Sequence, residues 1–116
     1  MKSIAFVIPW GGNLPVYFQL WLESCRRNPS VDFLVFTDDC TEYNYPDNVK
    51  VHYMSFEQMK ELFQKHYDFP LSISAPYKFC DFRPAFGEIF SDYLVGYDYW
   101  GHCDVDLIWG DIRKFV

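Results

Sequence analysis

The residues best spaced to do chemistry in this chain are Asp104 and Asp106. They form an acid-x-acid triplet between an aromatic run, Tyr97 to Cys103, and an apolar one, Leu107-Ile108-Trp109. Two carboxylates in such company are costly to bury unless their charge is compensated. A divalent cation such as Mn²⁺ or Mg²⁺ compensates it, because hard cations take carboxylate oxygens. In extended chain, residues i and i+2 face the same way, so both acids are expected to meet one ion. With 11 Asp among 116 residues, chance supplies about one such triplet. Its position at the end of a strand therefore has to carry the weight.

That position depends on the elements around it. Ser3 to Ile8 is a continuous apolar run, as in a parallel strand covered on both faces. Pro9 to Pro15 reads as a loop, and Val16 to Arg27 as a helix with Phe18, Trp21, Leu22 and Cys25 on one side. Val31 to Thr37 is a second strand, which completes a β-α-β unit. Val49 to Met54 alternates and reads as a third strand. Ser55-Phe56-Glu57-Gln58 matches a capping box that opens a helix to about Tyr67. Tyr77 to Arg83 starts another helix, which Pro84 kinks or restarts. Ala85 to Leu94 continues helical, and Gly96 closes it. Tyr97 to Cys103 is the last strand, with Asp104 at its carboxyl end.

This alternation predicts an α/β domain: a Rossmann-like open, mostly parallel sheet flanked by helices. Ligands of such sheets bind beyond the carboxyl ends of the strands. Pro9 and Trp10 after the first strand, Thr37 and Asp38 after the second, and Asp104-Val105-Asp106 after the last all belong to that edge. One chemistry that uses such an edge is transfer from a nucleotide-linked donor, whose leaving pyrophosphate needs a metal as Lewis acid. The end of the first strand would wall the base and ribose, and Asp38 would accept a hydrogen bond from either. Lys78 and Arg83 would reach a phosphate. Plainer uses exist for each. Asp38 suits a turn cap, and Lys78 with Asp81 a surface pair at i and i+3. Asp98 and Asp111 read as solvated turn residues, and Trp100 and Trp109 as packing.

Composition narrows the classes. The chain is half hydrophobic and 22% aromatic, with a formal charge of -6. Such a chain folds, and it lacks the basic patch of a nucleic-acid binder. No apolar run is long enough for a transmembrane helix. Cys25, Cys40, Cys80 and Cys103 form no Cys-x-x-Cys and have no His at zinc spacing. They are expected to be reduced, mostly buried thiols of a cytoplasmic protein. Cys103 as a nucleophile lacks an evident base.

The strand ending in Cys103-Asp104-Val105-Asp106, preceded by Tyr77-Lys78-Phe79-Cys80-Asp81-Phe82-Arg83-Pro84-Ala85-Phe86-Gly87, resembles the donor half of GT-A-type glycosyltransferases. More narrowly, it is similar to bacterial enzymes of capsular and other surface polysaccharides. The resemblance implies Mn²⁺ or Mg²⁺ held with the donor diphosphate by Asp104 and Asp106. It implies nucleotide contacts from Thr37, Asp38, Lys78 and Asp81, beside the wall already expected of Pro9 and Trp10. The expected partners are a nucleotide-diphosphate sugar, UDP-sugar favoured, and a glycan acceptor, with work at the inner face of the membrane compatible with a cytoplasmic enzyme. Family members usually run well past the motif. These residues are therefore expected to be the N-terminal part of a longer enzyme, inactive in transfer alone. The apolar residues after Asp106 are then expected to drive self-association. Two other readings compete: a Mg²⁺-dependent phosphohydrolase with an Asp nucleophile, and a non-catalytic nucleotide-binding α/β module.

Overall fold

A computed structural model describes residues 1–115. Its centre is a sheet of four parallel strands in the order β3-β2-β1-β4: β1 (Ile4–Trp10), β2 (Val31–Thr37), β3 (Val49–Tyr53) and β4 (Tyr99–His102). The apolar runs of β1 and β2 follow from burial on both faces. Ile4, Ile8, Phe33 and Val35 pack on one side with Phe18, Trp21, Leu22 and Cys25 of helix α1 (Phe18–Arg26). Ala5, Val7, Leu34 and Phe36 pack on the other with Met59 and Phe63 of α2 (Phe56–Gln64) and with Phe79, Phe86, Ile89 and Phe90. The capping box is formed as expected: Ser55 Oγ accepts from Gln58 N at 3.1 Å, and Gln58 Oε1 accepts from Ser55 N at 2.8 Å. No helix among the described residues is long and apolar enough to cross a membrane.

Three expectations need correction. β1 runs on through Pro9 and Trp10, which pair with Phe36 and Thr37. Proline is tolerated there because β4 is already over: its last residue, His102, pairs with Val7, so β1 has one neighbour at Pro9 and not two. Second, Pro76–Ala85 is a 3₁₀ helix, and the stretch after it splits into α3 (Phe86–Ile89) and α4 (Ser91–Leu94). Pro84 lies inside the 3₁₀ segment, where it cannot donate a backbone hydrogen bond. Third, the last strand begins only at Tyr99. Asp98 is exposed, as expected, and also accepts from Ser3 N at 2.8 Å and from Ser3 Oγ at 3.2 Å. The Tyr97 hydroxyl donates to Asp32 at the same end of the sheet.

Asparagines close the amino-terminal edge further. The buried Asn48 Nδ2 lies 2.9–3.0 Å from the carbonyl oxygens of Cys25, Asn28 and Val31. Asn28 in turn donates to Gly110 O at 2.8 Å and accepts from Ile112 N at 2.9 Å, which seats the segment after β4 against the start of β2.

Candidate functional site

The carboxyl edge carries a cleft between the end of β1, the 3₁₀ segment and the end of β4. Its inner part is lined by Pro9, Trp10, Cys80, Arg83, His102, Cys103 and Asp104. An outer trough continues it, walled by Trp10, Gly11, Pro76 and Tyr77. The two share Pro9, Trp10 and Cys80. Trp10 is fixed by its indole N–H, which donates to Asn13 O at 3.1 Å. Gly11 is required by a close approach: a Cβ there would lie 2.5 Å from Pro76 Cβ, a rigid ring atom.

The 3₁₀ geometry decides which residues reach the cleft. With three residues per turn, side chains at i and i+3 stand in line. Tyr77, Cys80 and Arg83 form the line that faces the cleft. Phe79, which is buried, and Phe82 form the line that packs on the core. Lys78 and Asp81 share the third line, and neither lines the cleft. Asp81 is exposed, and Lys78 Nζ sits 5.5 Å from the Tyr77 ring centroid. Tyr77 and Cys80 were not read as site residues from the sequence. A three-residue period applied to 77, 80 and 83 is the signal that would have found them.

Within the cleft, an Arg83 Nη2 hydrogen donates to Asp104 Oδ1. Both side chains are partly exposed, at 32% and 55%. Burial works against the Arg83 charge, but the bond to Asp104 and its negative charge outweigh that, so the guanidinium holds its proton more firmly than usual. Asp104 Oδ2 has no hydrogen-bond partner among the described residues. Cys103, next to it, is pushed up to about 12 by burial and by the Asp104 charge. It stays a thiol at neutral pH and is a poor nucleophile.

Asp106 is placed differently. The strand ends at His102, so the two-residue alternation does not extend through the triplet. Val105 between the acids is buried, while Asp106 lines a second groove with Tyr17, Leu20, Trp21, Leu107 and Ile108 on the α1 side. The triplet thus divides its carboxylates between two concavities.

At the end of β2, Thr37 is buried and its Oγ1 accepts from Asp39 N at 3.1 Å, a turn contact. Asp38 is exposed, and its Oδ1 accepts from Gly12 N at 2.9 Å. Asp39 accepts from Leu14 N at 2.8 Å and from Thr41 N and Oγ1 at 2.9 and 2.6 Å. These bonds, chiefly the Thr41 hydroxyl and then Leu14 N–H, hold the Asp39 carboxyl below its usual range. Asp38 and Asp39 therefore shape the loop that follows Trp10, through Gly12 and Leu14. The four thiols are free, but only Cys25 is buried and Cys103 half-buried. Cys40, in the turn after β2, and Cys80, on the cleft line, are exposed, contrary to the expectation of mostly buried thiols.

The donor chemistry of the cleft suits one kind of ion. Mg²⁺ and its like bind through one or two carboxylates plus substrate phosphates, keeping several waters. A single carboxylate with one oxygen unpartnered fits an ion shared with a phosphate ligand. Asp104 is the residue that would hold it.

The chain belongs to a family of unknown function (DUF6625), which matches it over residues 6–116. No curated protein matches it.

Proposed function

We propose that this domain binds a nucleotide-diphosphate sugar, with a UDP-sugar favoured, and forms the donor site of a metal-dependent glycosyltransferase acting on a glycan acceptor. The observation that carries this reading is the continuity of an aromatic trough with the Arg83–Asp104 pair, on the carboxyl edge of a parallel sheet. Ligands of open α/β sheets bind at that edge.

In this reading Trp10 and Tyr77 hold the flat base and the ribose between them, and close packing of Gly11 on Pro76 keeps the trough open. Asp38 fixes the loop through Gly12 and offers its second oxygen to a base or ribose donor. Arg83 pairs with a phosphate oxygen, for which a planar guanidinium is well shaped. Asp104 would hold Mn²⁺ or Mg²⁺, which when bound neutralises the departing diphosphate as a Lewis acid. Thr37 supports the turn, and Lys78 and Asp81, which line neither part of the cleft, have a weaker claim on the nucleotide. Asp106, in the α1-side groove, has a weaker claim on the ion. The cytoplasm remains the proposed location. The exposed Ile108 and Phe115 support self-association, which light scattering at rising concentration tests.

Titration calorimetry of UDP with and without Mn²⁺ tests the reading. The expected result is tighter binding with the metal, and loss of that gain in Asp104→Asn. Equal affinity in all four combinations would overturn it. The competing reading of a non-catalytic nucleotide binder is favoured by the existing partner of Asp104. Mn²⁺-dependent release of sugar from a UDP-sugar separates the two.

A further inference from the structure

We propose that Arg83 acts as a resident counter-ion for Asp104, which keeps the carboxylate from taking a divalent cation until a phosphate draws the guanidinium away. This rests on the donor-binding reading above and adds an order to it: phosphate and metal enter together, each making room for the other.

The argument begins with partners. Among the described residues, Arg83 has one carboxylate partner and Asp104 one cationic partner, and they are each other's. The other cleft residues beside them are Cys80, His102, Cys103 and Trp10. None of these is a second carboxylate that could hold Arg83 elsewhere. In the free protein the guanidinium therefore occupies one Asp104 oxygen, and its positive charge repels a divalent cation approaching the other.

The pair is also replaceable. It lines the inner part of the cleft with both side chains still partly exposed, and ion pairs in that setting are weak because water and salt screen them. A phosphate offers Arg83 two oxygens in the forked geometry it binds best. Once the guanidinium turns to phosphate, Asp104 faces a site with an added negative charge nearby, where a divalent cation is favoured on both counts. Because such coupling is reciprocal, the factor by which phosphate tightens metal binding equals the factor by which metal tightens phosphate binding.

A donor site built this way does not fill with free metal and does not hold free nucleotide tightly. It discriminates for the metal complex of the diphosphate over either component, using Arg83 as the comparator.

Substitution of Arg83 then has effects of opposite sign on the two ligands, which a merely structural role would not produce. Binding of Mn²⁺ alone is read from loss of the free aquo-ion signal in electron paramagnetic resonance, and UDP alone is read by calorimetry with a chelator present. Arg83→Gln is expected to bind Mn²⁺ about tenfold tighter than wild type, an effect of a size reasonable for removing one like charge at close range. It is expected to bind UDP alone several-fold more weakly, and to show little synergy between the two. Arg83→Lys keeps the charge without the fork and should fall between. Asp104→Asn in the Arg83→Gln background should abolish the gained Mn²⁺ affinity. If Arg83→Gln and Arg83→Lys bind Mn²⁺ alone no better than wild type, while wild type shows UDP–Mn²⁺ synergy, the counter-ion role is overturned and the donor-binding reading stands. If wild type shows no synergy at all, the donor-binding reading itself fails. Should Arg83→Gln lose its folded circular dichroism spectrum, Arg83→Met, which also removes the charge but keeps an unbranched stem, decides by the same Mn²⁺ measurement.

Discussion

Asn48 and Asp104 stand at opposite ends of the same sheet and meet opposite treatment. Asn48, just before β3, has its amide nitrogen within reach of three carbonyl oxygens. Asp104, just after β4, has one oxygen on Arg83 and the other without a protein partner. The pattern extends beyond these two. At the amino-terminal edge, Asp98 is held by Ser3, Asp32 by Tyr97, and Asn28 by Gly110 and Ile112. At the carboxyl edge, Asp38 has a single bond to the loop it faces, and Asp106 lines an open groove. The same residue types close the fold at one end and keep unused hydrogen-bonding capacity at the other. Buried polar groups without partners are expensive, so capacity left open at an exposed edge marks where a ligand can still be met.

The largest effect should come from breaking the closed end. Asn48→Ala leaves buried carbonyls without a donor and should cost about 3 kcal/mol, since each such loss runs about 1–3 kcal/mol. Thermal unfolding monitored by circular dichroism reads this, and UDP affinity below the transition should be unchanged. A fall in UDP affinity with no change in stability would reverse the roles of the two edges.

Next in size are the two acids of the triplet. Asp104→Asn should weaken Mn²⁺-dependent UDP binding about tenfold, equivalent to about 1.4 kcal/mol, with melting temperature unmoved. Asp106→Asn should weaken it less than about threefold, under about 0.7 kcal/mol by the same conversion. Calorimetry on both variants tests the difference, and equal losses would mean that the turn after His102 rearranges to bring both acids to one ion.

Asp38→Ala should reduce UDP and uridine affinity alike by about fivefold, the size of a net hydrogen bond near 1 kcal/mol. If UDP binding falls and uridine binding does not, Asp38 belongs to the phosphate end of the cleft.

The smallest effect is one of acid. Asp39 lies at the carboxyl edge but is bonded like a residue of the closed end. Its carboxyl is depressed in the folded state, chiefly by the Thr41 hydroxyl and then by Leu14 N–H. Its contribution is therefore fully present above the unfolded value of about 3.9 and is lost as pH falls below that through the depressed value. A pH series of melting temperatures from 7 downward should show a drop below pH of about 4 that shrinks in Asp39→Asn. An unchanged drop in that variant would assign the acid response to other groups, Asp98 on Ser3 first among them.

Much of the frame could be read directly from the chain. The apolar runs of β1 and β2 are long enough to signal burial on both faces, and Ser55 and Gln58 announce a helix start through local chemistry alone. The edge shared by Trp10, Asp38 and Asp104 follows from parallel strands. What stayed hidden has specific causes. Tyr77 to Arg83 has a composition that suits an α-helix as well as a 3₁₀ helix, and only the tighter period puts Tyr77, Cys80 and Arg83 in one line. The Ser3–Asp98 contact joins residues 95 apart in sequence, and no local pattern encodes such a pairing. The separation of Asp104 from Asp106 depends on where β4 stops, and strand ends are the weakest part of any reading by periodicity.

That stopping point has a consequence for the size of what the cleft admits. β4 ends opposite Val7, whereas β1 continues for three residues to Trp10. At about 3.3 Å per residue, the step is about 10 Å deep, and one strand wide. The cleft is thus a notch of absent sheet, framed by backbone, and its depth comes in whole residues. Side-chain substitutions can repaint its walls but cannot change its depth by a fraction. One residue added to or removed from β4 would move the floor by about 3.3 Å, enough to exclude or admit a phosphate, and would at the same time turn His102, Cys103 and Asp104 toward the opposite face.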